Sequence, residues 1–373
     1  MAVNDKGDVL QWGTAYAPGV LTPEPTLKGK NIASIALSKD KVIALSKDNQ
    51  LYTFPISKDL QQSGVKHTES SWIPGRSSTS ATSYRVLRPE LGYLEKITHI
   101  AAGREHFLAL TSSGRVFSSA AAYTYPSRGQ LGIPGLTWKT RPTDKPIDVM
   151  FEITSLGSQK VEQIAAGDLH SVVRTRSGRA FAFGDNIHGQ VGREWDPEAT
   201  FYETPVLLSP PSASATTTNI AAGGNNTYLQ ASVPQPNRTT ATEIFACGTG
   251  LHGNLGNGRW THVQGSLTKI PSLSNLSEFS ESAGKVQPIG LRGISVGANH
   301  AAAIMATSPG ADVLWWGNNE FHQLGTGKRN NCNVPVYIQP LDGRGEEAGL
   351  TMTGSSSRGD KAGKMSGVIG GIA

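Results

Sequence analysis

Short runs of apolar residues, separated by polar turns that contain glycine, recur along most of the chain. Residues 164–173 read Ile-Ala-Ala-Gly-Asp-Leu-His-Ser-Val-Val, and residues 177–184 continue as Ser-Gly-Arg-Ala-Phe-Ala-Phe-Gly. Alternation of apolar residues over such short runs predicts β-strands, and the glycine-containing stretch between them predicts a turn. No segment sustains the 3.6-residue period of an amphipathic helix. The pattern therefore predicts an all-β protein.

The same order of residues returns several times. Further copies begin near positions 100, 220 and 294, and each ends on Gly-Gln-Leu-Gly or a variant of it. Residues 35–54 form a decayed copy, with Lys41 in place of the histidine, and residues 2–13 carry only the second half of a copy. Repeats of this length, made of strands, are typical of propeller blades with about four strands each.

The series Ile-Ala-Ala-Gly-x-x-His, Gly-x-Val-Phe and Gly-Gln-Leu-Gly resembles the repeat of the regulator of chromosome condensation family. The resemblance covers residues 1–340 and implies an all-β fold, a seven-bladed β-propeller. About six repeat units are recognisable, so we expect the propeller to be incomplete in this chain. Residues 55–96 are expected to be an insertion or irregular segment. Residues 341–373 are expected to be a disordered tail, because they carry too few apolar residues to offset ordering entropy.

Composition narrows the class of protein. The net charge is +5, but no Lys/Arg run accompanies it, so we expect no nucleic-acid partner. Two cysteines, Cys247 and Cys332, are too few for a disulfide scaffold and fit a reducing compartment. No apolar run is long enough for a transmembrane helix, and no targeting signal is recognisable in this chain.

The recurring histidines admit two interpretations. Three imidazoles form a zinc site only if they converge, whereas a structural histidine bonds the backbone within its own repeat and holds a turn. We favour the structural role, because Asn226 takes the histidine position in one copy and an amide is a poor zinc ligand. We therefore expect no metal and no cofactor. The positions expected to build the repeat are Gly103, His106, Gly167, His170, Gly223, Gly297 and His300.

The two residues between glycine and histidine vary while the frame stays constant. The resemblance implies that these loops gather on one face, where the nuclear member of the family uses acidic and polar residues to release nucleotide from a small GTPase. No Ser-His-Asp or Cys-His arrangement stands out, so we expect no catalytic residues and no enzyme activity. The candidates for partner binding are Arg104, Glu105, Asp168, Asn225 and Asn299.

Within the family, the decayed copy, the long segment after it and Tyr-Arg-Val-Leu-Arg-Pro at residues 84–89 resemble fungal mitochondrial members. Those members are associated with the inner membrane and with assembly of the cytochrome bc1 complex. The resemblance implies a non-enzymatic protein-binding scaffold in mitochondria, with respiratory complex III subunits or assembly factors as partners. The alternatives are a guanine nucleotide exchange factor that binds a small GTPase and a chromatin-binding module, located in the nucleus or cytoplasm.

Overall fold

The computed structural model describes residues 1–66, 68–70, 77–140, 147–236, 240–280, 284–307 and 312–338. The expected tail at residues 341–373 lies outside this part of the chain. The chain divides into two compact units, one of residues 1–127 and 131–164, the other of residues 128–130 and 165 onward. Strands dominate both units, as the apolar alternation predicts.

The first unit begins with a three-stranded sheet, β1-β2-β3, followed by two four-stranded antiparallel sheets, β4-β5-β6-β9 and β10-β11-β12-β13. A short helix, α1, and a hairpin of β7 and β8 lie between β6 and β9. The strands and the helix are β1 (Ala2–Val3), β2 (Val9–Gln11), β3 (Glu24–Leu27), β4 (Ile32–Leu37), β5 (Lys41–Ser46), β6 (Leu51–Pro55), α1 (Lys58–Ser63), β7 (Thr68–Ser70), β8 (Ser77–Thr79), β9 (Arg85–Leu87), β10 (Ile97–Ala102), β11 (His106–Thr111), β12 (Val116–Ala120) and β13 (Phe151–Glu152).

The remaining strands form three more four-stranded sheets, β14-β15-β16-β17, β18-β19-β20-β21 and β24-β25-β26-β27, and a separate hairpin, β22-β23. Their bounds are β14 (Val161–Ala166), β15 (His170–Thr175), β16 (Ala180–Asp185), β17 (Phe201–Leu208), β18 (Thr216–Gly223), β19 (Asn226–Pro234), β20 (Thr240–Gly248), β21 (Gln264–Lys269), β22 (Ser277–Ser280), β23 (Lys285–Pro288), β24 (Gly290–Val296), β25 (His300–Ala306), β26 (Asp312–Gly317) and β27 (Cys332–Tyr337).

The described residues thus contain one three-stranded and five four-stranded sheets, which match the partial copy and the five further copies of the sequence repeat. Residues 55–96 contain more regular structure than expected. It contains α1, and β9 within it pairs with β6 as the fourth strand of its sheet. Only three residues of β9 pair in this way, which is too short a run for apolar alternation to stand out in the sequence.

Apolar clusters fill the space between neighbouring sheets of each unit. In the first unit, Ile43 of β5 and Phe107 of β11 belong to one cluster. In the second unit, Val172 of β15 packs with Leu229 of β19, and Trp316 of β26 lies in a further cluster. Every residue of β5 and β11 is buried, because both faces of these second strands are covered. Burial on both faces explains why these strands read as continuous apolar runs.

The Gly-Gln loops of the repeat dock on the following sheet. In the second unit, the Gln190 carbonyl accepts a hydrogen bond from Thr227 Oγ1 of β19 at 2.7 Å. Gly189 lies in the left-handed region at φ 80°, and a Cβ there would lie 2.5 Å from the Cα of Gly265. Only glycine satisfies both requirements at this position. This part of the repeated motif therefore holds successive sheets together.

Candidate protein-binding face

Strand order places two loops of every four-stranded sheet at the same end of the strands. In an antiparallel sheet, the loop from first to second strand and the loop from third to fourth strand lie together, opposite the turn from second to third. Where the repeat is intact, the Gly-x-x-His stretch forms the first of these loops and the Gly-Gln stretch the other. We call this end of a sheet the loop end, and the opposite end, with the linker to the next sheet, the turn end.

In the first unit, the loop after β10 carries two of the predicted binding residues. Arg104 is exposed and Glu105 is half-exposed. The Arg104 carbonyl accepts a hydrogen bond from the Lys39 amide at 3.0 Å, and the Glu105 carbonyl accepts one from the Ala121 amide at 2.8 Å. Backbone bonds therefore fix this loop beside that of the preceding sheet and leave the two charged side chains toward solvent.

In the second unit, three loops lie in a row. The Asp168 amide donates to the Gly224 carbonyl at 2.8 Å, which joins the first loop to the second. Gly224 has φ 50°, and a Cβ on it would lie 1.9 Å from the Ala298 carbonyl oxygen of the third loop. Asp168 and Asn225 are half-exposed and Asn299 is exposed. The structure thus brings these three predicted binding residues onto adjacent loops, which we call the loop row.

The glycine and the histidine of the repeat contact each other directly. The amides of Gly103, Gly167 and Gly297 each donate at 2.9 Å to the carbonyl of the histidine three residues later. A Cβ on Gly167 would lie 2.0 Å from Cε1 of the His170 ring. Glycine is needed here because the imidazole packs directly on the backbone, and no positive φ is involved. The contacts assign this glycine to the frame of the fold.

The His170 side chain bonds beyond its own repeat, where a bond within the repeat was expected. Its Nε2 lies 2.9 Å from Thr227 Oγ1, on the neighbouring sheet and not within its own repeat. The Thr227 hydroxyl donates its hydrogen bond to the Gln190 carbonyl. It therefore accepts a hydrogen bond from the His170 Nε2–H. Complete burial lowers the pKa of His170 to about 3. The ring is therefore neutral at physiological pH and serves as a link between sheets.

The residues that occupy the histidine position in other repeats make different contacts. Asn226 donates from Nδ2 to the Thr249 carbonyl at 2.6 Å, which is the expected kind of bond to the backbone of its own repeat. His300 is only half-buried, and that burial lowers its pKa. Among the described residues, no three His, Cys, Asp or Glu side chains are grouped as metal ligands. The equivalent positions thus share a place in the fold but differ in hydrogen bonding.

Lys41, at the histidine position of the decayed copy, forms an ion pair that the repeat pattern does not predict. Its ammonium lies 2.8 Å from Asp148 Oδ1, and Arg85 Nη1 lies 2.6 Å from Asp148 Oδ2. The lysine and aspartate side chains are 10% and 15% exposed, so this is a nearly buried ion pair. A lysine at the start of an otherwise apolar strand was the available signal, because a buried charge needs a counterion.

The profile of the regulator of chromosome condensation (RCC1) repeat matches residues 97–119 and 161–190, and a second profile of the same description matches residues 311–349. The chain carries RCC1 repeats.

Similar full-length proteins differ in size and role. The RCC1-repeat chain is 23% identical over 371 residues to yeast "Protein FMP25, mitochondrial", an alignment that covers 91% of this chain and 59% of that protein. It is 28% identical over 336 residues to the bovine "Secretion-regulating guanine nucleotide exchange factor", covering 89% of this chain and 65% of that protein. The chain therefore spans less than two thirds of the length of these curated relatives.

Solved structures agree on the fold. Human WBSCR16 superposes with a TM-score of 0.63 at 21% identity, covering 86% of this chain and 72% of that one. Yeast RCC1 (Prp20), solved with Kap60, gives a TM-score of 0.63 at 18% identity, covering 91% and 73%. The fold class of this RCC1-repeat chain is accordingly the β-propeller. Within the described ranges, no helix of the RCC1-repeat chain is long and apolar enough to cross a membrane.

Proposed function

We propose that this protein is a non-enzymatic scaffold that binds protein partners through its loop row. The observation behind the proposal is the arrangement of Asp168, Asn225 and Asn299 on three adjacent loops joined by backbone contacts. Variable polar side chains on a rigid frame suit recognition of a partner, because rigid loops lose little conformational entropy when the partner binds. Function in such folds depends on the grafted loops and not on the framework.

We further propose a mitochondrial location and a role in assembly of respiratory complex III. The mitochondrial location is supported by the similarity to the mitochondrial yeast protein. The step to complex III rests on the resemblance to fungal mitochondrial members of the family. The partners would be complex III subunits or their assembly factors.

The test is genetic and uses the full-length protein. Deleting the gene should lower the level of assembled cytochrome bc1 complex on native gels, and wild-type protein should restore it. A triple variant, Asp168→Ala, Asn225→Ala and Asn299→Ala, should fail to restore the complex while accumulating normally. The matched control changes Ser212→Ala and Ser214→Ala, in the linker between β17 and β18 at the turn end. Unchanged bc1 levels after deletion would refute the complex III role.

Guanine nucleotide exchange is the second candidate, favoured by similarity to the bovine exchange factor over most of the chain. An exchange factor binds the nucleotide-free GTPase more tightly than the loaded one. It should therefore accelerate release of a fluorescent guanine nucleotide from mitochondrial small GTPases, and Asp168→Ala should slow that release. Absence of acceleration across these GTPases would eliminate this candidate and leave the scaffold proposal standing.

A further inference from the structure

The linker from β9 to β10, residues 88–96, exposes two adjacent apolar side chains at its tip. Tyr93 is 95% exposed and Leu94 is 77% exposed. In the corresponding linkers of other sheets Leu156 is 7% and Leu273 is 2% exposed, and Leu91 of the same 88–96 linker packs against the apolar core. Linkers of this kind can therefore bury apolar side chains, but Tyr93 and Leu94 remain exposed.

The tip is held from beneath by polar contacts. Glu95 Oε2 accepts from the Gly92 amide at 2.7 Å and from Arg115 Nη1 at 2.7 Å, and Ser113 Oγ donates to Glu95 Oε1. The same guanidinium donates to the Glu90 carbonyl from both terminal nitrogens at 3.1 Å. Burial by itself raises the pKa of Glu95, but the hydrogen bonds outweigh it and lower the pKa to about 2. The turn is thus ordered without any contribution from its apolar tip.

Leu94 also occupies an unfavourable backbone conformation. Its φ is 58°, in the left-handed region that a bulky side chain avoids. Two other linkers place a residue at the same φ of 58°, and there the residues are Gly157 and Asn275, both suited to it. A leucine at such a position lowers the stability of the fold, and the exposed side chain does not offset this loss by packing. The residue type at this position is therefore unexplained by folding.

We propose that Tyr93 and Leu94 form a docking tip for a folded protein partner, inserting into an apolar pocket bordered by acidic groups. Ordered aromatic and aliphatic side chains of this kind are typical anchors, since little entropy is lost when they bind. The exposed charged residues of the linker are Arg88, Glu90 and Lys96, which together carry one net positive charge, and this favours a pocket with acidic groups at its border. The tip lies at the turn end of its sheet, so this site is separate from the loop-end residues.

The experiment places a photo-crosslinking p-benzoylphenylalanine at position 93 of the full-length protein in cell extract. Crosslinked material is identified, and any captured protein is purified and its affinity measured against three forms of this chain. Wild type should bind, Leu94→Asn should bind at least about tenfold more weakly, and Leu21→Asn should bind like wild type. Leu21 is the matched control because it is an equally apolar loop side chain at 80% exposure.

Misfolding does not confuse this result, because Leu94→Asn should be more stable than wild type. Asparagine tolerates the left-handed conformation, so the midpoint of thermal unfolding should rise by about 2–4 °C. A protein that binds Leu94→Asn as tightly as wild type would overturn the proposal.

Other outcomes contradict it too: no protein adduct at position 93, an adduct only with a second copy of this chain, or binding of wild type but not Leu94→Asn to vesicles of phosphatidylcholine and cardiolipin. The loop-row variant should bind this partner normally, so the two proposals fail independently.

Discussion

Lys41 and His170 occupy the same position of the repeat in different units, and they solve the same problem with different chemistry. Each lies at the start of the second strand of its sheet and reaches the following sheet. His170 does so as a neutral donor to a hydroxyl, and Lys41 as a cation that pairs with Asp148 and approaches the Ala122 carbonyl at 3.4 Å. The decayed copy therefore keeps a link to the following sheet, although a lysine stands at the histidine position.

The difference between the two links lies in what happens when a partner is removed. A neutral histidine left without its hydroxyl loses one hydrogen bond, whereas a buried ammonium left without its carboxylate is an uncompensated charge. The two positions should therefore respond differently to substitution, although they occupy the same place in the fold.

The largest effect is expected at the ion pair. Asp148→Ala should lower the free energy of unfolding by about 3–5 kcal/mol, because the charge of Lys41 stays buried without its partner. Urea denaturation followed by circular dichroism measures this loss. The double variant Lys41→Met and Asp148→Leu removes both charges and should recover most of the stability. An equally unstable double variant would show that packing, and not charge, explains the effect.

A pH effect is expected at the histidine link. The folded pKa of His170 is about 3, against an ordinary value of 6.5, so the unfolded chain binds more protons between these values. The contribution of His170 to the free energy of unfolding is therefore complete above about pH 6.5. It falls as the solution is acidified, with a slope approaching about 1.4 kcal/mol per pH unit.

Urea denaturation between pH 4.5 and 6.5 should show this slope, and His170→Gln should remove most of it. His300, whose pKa is also lowered by burial, should contribute to what remains. Below about pH 4.5, Glu95 contributes a further loss, because its folded pKa is about 2 and its carboxylate must be protonated. An unchanged slope in His170→Gln would mean that the buried imidazole is not the titrating group.

Removing the hydroxyl partner alone should cost less. Thr227→Val keeps the side-chain shape but leaves the His170 Nε2–H and the Gln190 carbonyl without their shared partner. The expected loss is about 1–3 kcal/mol in urea denaturation, smaller than for Asp148→Ala. Thr227→Ser keeps the hydroxyl and should restore most of that loss. A loss equal to that of Asp148→Ala would erase the distinction between the neutral and charged links.

The smallest effect is expected at the outer member of the charged cluster. Arg85 contacts Asp148 but is 68% exposed, so solvent screens the interaction. Arg85→Ala should change the free energy of unfolding by no more than about 1 kcal/mol. A larger loss would show that Lys41 alone does not neutralise Asp148.

Much of the fold was readable from the sequence. Strand alternation, the glycine turns and the recurring order of residues predicted an all-β repeat protein, and six blade-like sheets appear among the described residues. β9 was missed because three residues are too few for a pattern. The loop residues Asp168, Asn225 and Asn299 were recognised as the variable positions of a constant frame, and the structure places their loops side by side.

What the sequence alone determined is local: where strands and turns fall, and which glycines stand where only a small residue fits. Strand alternation and turn propensity act between residues a few positions apart, so they leave a pattern along the chain. Only the tertiary structure decided that Lys41 meets Asp148, 107 residues away, and that His170 meets Thr227, 57 residues away. No spacing rule connects such partners, because the packing of one sheet on the next brings them together.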